Sequence, residues 1–109
     1  MAEALKVLGQ ADVSAGVLSV LYTAPAATSV TTSTLVVCNR GAVTIKFRVS
    51  VAVGGAADDP KQYLFYDVQL TKNASVTITI GMTLAAGDVV RVRSDTANVS
   101  FNLFGVEVT

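Results

Sequence analysis

Apolar and polar residues alternate along most of this chain with a period of two, the period of a strand with one face buried. The clearest stretch is TIKFRVSVAV, residues 44–53, where Ile45, Phe47, Val49, Val51 and Val53 fall on one side and Thr44, Lys46, Arg48 and Ser50 on the other. This predicts a core face and a face turned to water or to a partner. SVTTSTLVVCNR, residues 29–40, begins as the same alternation and becomes continuously apolar from Leu35 to Cys38, as a strand covered on both faces does. VLSVLYTAP, residues 17–25, is rich in β-branched and aromatic residues and predicts a strand ending at Ala24, because Pro25 has no ladder donor. YLFYDVQL (63–70), VTITI (76–80), VVRVRS (89–94) and VSFNLFGVEVT (99–109) continue the series, with Val90 and Val92 opposite Arg91 and Arg93. LKVLGQ (5–10) alternates weakly, and a helix over residues 2–8 competes with a strand there.

Turn residues separate these runs: Asn39, Arg40 and Gly41, then KNAS, AAGD and DTAN. GGAADDPKQ, residues 54–62, is the longest polar stretch and predicts an exposed loop. Strands recur about every ten residues, the rhythm of a sandwich. The expected fold is all-β: a single-domain antiparallel β-sandwich of about eight strands, jelly-roll-like or immunoglobulin-like. Residues 11–109 form that domain, and residues 1–10 form an N-terminal arm or edge strand joined through ADVSAG. Near the other end, Val99, Phe101 and Leu103 make one apolar row, and Phe104, Val106 and Val108 make another, offset by one residue. Gly105 predicts a bulge in that strand. Phe104 then has two placements, outward into a neighbouring subunit or over the open end of its own sandwich.

Composition adds a tendency to associate. The 109 residues suit one hydrophobic core. Only 15% of them are charged, against about 25% in an average domain, so Thr, Ser, Ala and Val must cover much of the surface. Eight Lys and Arg against eight Asp and Glu give zero formal net charge, which favours self-association and provides no basic field for nucleic acid. No apolar run approaches the roughly 18 residues of a membrane-spanning helix. MAEALKVLGQ lacks a basic segment followed by a long apolar one, so neither export nor a membrane partner is expected. Cys38 stands alone among Leu35, Val36 and Val37, which predicts a buried, inert thiol in a reducing compartment.

Candidate chemistry is sparse. The chain has no His, which removes the commonest transition-metal ligand and the usual base for a cysteine or serine nucleophile. Asp58 and Asp59, with Asp67, form the one acidic set that could hold a hard cation such as calcium; a solvated loop is the preferred reading. Dinucleotide, P-loop and GxSxG patterns are absent. No catalytic, cofactor-binding or metal residue, and no enzyme, is therefore expected. Tyr63, Phe65 and Tyr66 form the one aromatic cluster; alternation puts Tyr63 and Phe65 together as a core pair, opposite Tyr66. Only Lys61 lies near in sequence, too little for a base-stacking platform, and carbohydrate contact through an exposed tyrosine is open but not favoured. The sequons at Asn73 and Asn98 fall in turns and read as chance.

Seven segments in order, KVLGQ (6–10), LYTAPA (21–26), STLVVCNRG (33–41), FRVSV (47–51), KQYLFYD (61–67), LAAGDVVRV (84–92) and SFNLFGVE (100–107), together resemble a family of short phage virion structural proteins. The resemblance covers nearly the whole chain from about residue 5. It implies β-rich architecture, many copies and a place on a virion after synthesis in the host bacterial cytoplasm, with no catalytic residues to carry over. Two roles follow as expectations. One is a capsid decoration or cement protein, a homotrimer that contacts itself and other virion proteins such as the major capsid or the tail and neck proteins. The alternative is a neck, tail, baseplate or fibre component with a host-glycan-binding role. One long loop and no stalk favour the shell.

Overall fold

The computed structural model describes residues 2–109. Among these residues the chain forms nine strands: β1 (Glu3–Asp12), β2 (Ser19–Thr23), β3 (Ser29–Asn39), β4 (Ile45–Ala52), β5 (Tyr63–Leu70), β6 (Ser75–Ile78), β7 (Thr83–Leu84), β8 (Val89–Ser94) and β9 (Val99–Val108). Residues 2–8, the alternative helix, lie in extended structure, mostly in β1. One sheet runs β1-β9-β3-β6, with β7 also on β3, and the other runs β2-β8-β4-β5. Every pairing is antiparallel.

Strands β6 and β7 pair with successive parts of one edge of β3, Leu35–Cys38 and Val30–Thr31, so they act as one interrupted strand. Thr32 sits at the interruption. Its buried hydroxyl donates to the Ile80 carbonyl at 2.7 Å and accepts from the Met82 amide at 2.9 Å, which satisfies backbone groups a continuous ladder would pair. Counted this way, eight strands cross repeatedly between the sheets in the order of a jelly roll. The immunoglobulin order would instead place β1 and β2 in one sheet.

The core lies between the sheets, and Ile45, Phe47 and Val49 are buried there while Lys46 is exposed, as the alternation predicts. The Phe47 ring packs edge-on against Phe101 at 6.3 Å and tilted against Phe65 at 6.4 Å. Val53 and Ser50 depart from the pattern outright, and Val51, on the core side, is only partly buried. Val53 lies beyond β4 in a short 3-10 turn, Val53–Gly55, and is exposed. Ser50, expected outward, is buried with no partner for its hydroxyl. The cause is the loop of residues 53–62, which folds back over the outer face of β4 and β8. Arg91, opposite Ser50 in the ladder, donates to the Ala56 carbonyl at 2.8 Å and the Gly55 carbonyl at 3.3 Å. Buried Asp88 holds the start of the loop by accepting from the Gly54 amide, and Asp59 caps a second 3-10 turn, Pro60–Gln62.

Asn39, read from the sequence as a turn residue, is fully buried at the end of β3. Its side-chain amide donates to the carbonyls of Val43, Leu70 and Thr71, and its oxygen accepts from the Gly41 amide, so one side chain ties two turns to the sheet. Cys38 departs from expectation: it is partly exposed. Leu35 and Val37 point inward, whereas Val36 and Cys38 alternate onto an outer face that nothing fully covers.

Strand β9 lies between β1 and β3, and its alternation runs unbroken through Gly105. The extra residues belong to its neighbours: the β1 register shifts between Val7 and Gly9, and the β3 register shifts between Thr32 and Thr34. Val99, Phe101, Leu103 and Gly105 therefore face inward, and Phe104, Val106 and Val108 face outward. Gly105 provides room. A β-carbon there would lie 2.5 Å from the Thr31 carbonyl oxygen and 2.8 Å from the Thr32 α-carbon.

Candidate functional site

Two surfaces carry more than ordinary solvent-facing residues. The first is the outer face of β1 and β9, where the register places Leu5 beside Val106, Val7 beside Phe104 and Glu3 beside Val108. Side chains directly opposite in a ladder share a face, so these five apolar residues form a continuous patch. Leu5 is 88% exposed and Val7 is 47% exposed, while Phe104, Val106 and Val108 are half-buried.

Behind this patch, on the inward side of the same strands, Glu107 joins the two sheets. It accepts from the Tyr22 hydroxyl on β2 and from the Lys6 ammonium at 2.9 Å. The hydrogen bond from Tyr22, and then that from Lys6, hold the Glu107 carboxyl below its ordinary value. A carboxylate with a depressed folded-state pKa contributes stability above the unfolded value of about 4.3, and that contribution is lost as pH falls through the folded value. The thermal midpoint of the wild type should accordingly fall on acidification below about pH 4. In Tyr22→Phe the acid-side fall should be shallower, a comparison made by thermal melts across the same pH series.

The second surface is a cleft of about 500 Å³ on the outer face of the other sheet, lined by Arg48, Asp58, Pro60, Tyr63 and Tyr66. Its shape comes from irregularities in β5. The pairing of β5 with β4 shifts on both sides of Val49, leaving Leu64 extra in one step and two residues, Tyr66 and Asp67, opposite Arg48 in the other. Asp67 takes a positive φ of 53°, a conformation Asp tolerates better than most residues. As a result Phe65 packs towards the core, and Tyr63 and Tyr66 stand together, ring centroids 5.2 Å apart and nearly perpendicular. The expected core pair of Tyr63 with Phe65 is thus replaced by an outward pair of tyrosines.

Arg48 is fixed in this cleft from two directions. Its guanidinium lies 4.0 Å from the Tyr66 ring centroid, and its Nε and Nη2 donate to the two carboxylate oxygens of Asp67 at 2.7 and 3.3 Å. That bidentate bond holds the Asp67 carboxyl below the usual carboxylate range. Burial, followed by the adjacent Asp58 carboxylate, pushes the Tyr63 hydroxyl up.

The three carboxylates weighed as a cation site take separate roles: Asp58 lines the cleft, Asp59 accepts from the Lys61 amide, and Asp67 pairs with Arg48. Among the described residues no group of three His, Cys, Asp or Glu side chains converges as metal ligands would. Asn73 and Asn98, the sequon residues, have positive φ of 54° and 68° in tight turns, where Asn is among the few side chains that fit. Sequence reasoning misses Arg48 and Pro60 as site residues and weighs Asp58 only as a cation ligand, because the cleft lining converges only in three dimensions. The Asp at 67 is the one faint local sign of the bulge.

No protein-family model matches the chain, and no curated protein matches it. Among solved structures it is similar to two crystal structures of a pentameric capsid protein isolated from metagenomic phage sequences, one of them solved by iodide SAD phasing. Each match has 17% identity and a TM-score of 0.40, and covers 95% of this chain. The chain spans 62% and 63% of the length of those two proteins.

Proposed function

We propose that this chain is a phage virion structural protein that assembles in many copies, foremost as a capsid decoration or cement protein. The observation that carries the reading is the apolar patch of Leu5, Val7, Phe104, Val106 and Val108 on a hydrogen-bonded sheet. Contiguous apolar patches on a folded surface mark interaction sites, and burial of each large side chain is worth about 1.5–3 kcal/mol. The occupant proposed for this face is a second copy of the chain, since zero net charge leaves little long-range repulsion between copies. The resemblance of seven ordered segments to short virion structural proteins supports the same reading. Residues 1–10, which contain most of edge strand β1, supply two of the five patch residues, Leu5 and Val7, to a domain formed by residues 11–109. The assembly is a closed homo-oligomer, with three copies the order expected from the sequence, and it docks on other virion proteins. The role is structural and calls for no enzyme activity or cofactor. A neck, tail or baseplate position is the alternative.

Sedimentation velocity tests the assembly. The wild type should sediment as an oligomer of the 11.3 kDa chain, and Leu5→Asp should shift it to monomer with an unchanged circular dichroism spectrum, because Leu5 makes almost no contact with its own core. A wild type that stays monomeric at all accessible concentrations would overturn the proposal.

A further inference from the structure

We infer that the cleft formed by Arg48, Asp58, Pro60, Tyr63 and Tyr66 binds a neutral oligosaccharide. Three features of the cleft point to that class of ligand. The first is apolar surface of the right kind. Tyr66 keeps 59% of its surface exposed although Arg48 covers part of its ring, and Tyr63 and Pro60 continue the apolar lining. Aromatic faces carry negative charge density that attracts the polarised C–H groups lining one side of a pyranose ring.

The second feature is a fixed donor beside an acceptor. The Arg48 guanidinium is immobilised by Asp67 and by the Tyr66 ring, and its Nη1 has no hydrogen-bond partner among the described residues. Asp58 offers acceptor oxygens on another wall. A donor held at a fixed position, with an exposed acceptor on the same cleft, suits neighbouring sugar hydroxyls, each of which can both give and take a hydrogen bond. Preorganisation of this sort lowers the entropy lost on binding.

The third feature is charge. Asp67 neutralises Arg48 within the cleft wall, and Asp58 adds a negative charge, so the five lining residues themselves hold no unmatched cation; Lys46 and Arg93 stand beyond the lining, on the far side of Asp67 and Arg48. A small cleft of about 500 Å³ with a few placed polar groups is the usual form of a small-ligand site. The cleft lies on the sheet opposite the β1–β9 patch, so assembly through that patch leaves it open. Its binding does not depend on assembly, although repetition in an oligomer would raise avidity.

The test is a two-dimensional amide NMR titration of the full chain, repeated on Leu5→Asp to separate binding from assembly. The probes are maltotetraose, cellotetraose and the tetramer of β-1,4-linked N-acetylglucosamine, with heparin as a polyanion. At least one neutral sugar should give saturable shifts at Arg48, Tyr63, Tyr66 and their strand neighbours, equally in both proteins. Tyr66→Ala should weaken that binding by roughly tenfold or more while the circular dichroism spectrum is unchanged. Silence with all three neutral sugars would overturn the inference. So would shifts outside the cleft, a response to heparin alone, or unaltered affinity in Tyr66→Ala.

Discussion

Replacing Phe47 with alanine should cost the fold about 3–5 kcal/mol, the range for removing a fully buried phenylalanine. Phe47 is 1% exposed, on the strand between β5 and β8, and its ring touches Phe65 from its own sheet and Phe101 from the other. Its loss opens a cavity at the meeting point of the two sheets, which a rigid ladder on either side cannot collapse to fill. Chemical denaturation of both proteins measures the difference; an unchanged midpoint would mean that the two sheets do not meet over this ring.

A chain ending at Gly105 should fail to fold. The missing residues Val106, Glu107 and Val108 pair with Leu5, Ala4 and Glu3 on one side and with Thr31, Val30 and Ser29 on the other. Removing them orphans backbone groups on two strands at once and deletes the carboxylate that joins Tyr22 to Lys6. Circular dichroism should show loss of the sheet signal. A cooperative, folded protein ending at Gly105 would show that β9 is dispensable where the topology makes it central.

The residues whose positions were legible in the sequence are those on regular strands with one covered face. Phe47, Val49, Val90, Val92, Val99, Phe101 and Leu103 are buried where alternation places them, because alternation on such a strand is itself the record of burial. Bulges were not legible. Leu8, Ser33 and Leu64 are ordinary strand residues, and each is extra only relative to a partner distant in sequence. Gly105 marked the right level of the sheet but not the right strand: the glycine makes space beside the irregular stretch of β3. Ser50 looked solvent-facing because nothing local reveals that residues 53–62 return across it, tethered by Arg91 and Asp88. The cleft escaped for the same reason. It needs the β5 bulges to turn Tyr66 beside Tyr63, and it needs the loop to bring Asp58 and Pro60 to Arg48.

Density for the intact virion, at a resolution that traces strands, tests the structural role most directly. The domain measures 45 × 27 × 18 Å, large enough to place without ambiguity at that detail. It should appear in many symmetry-related copies on the shell, with Leu5, Val7 and Phe104 packed against a neighbouring copy. Purified virions that lack the domain, or that carry it with the β1–β9 face bare to solvent, would contradict the account.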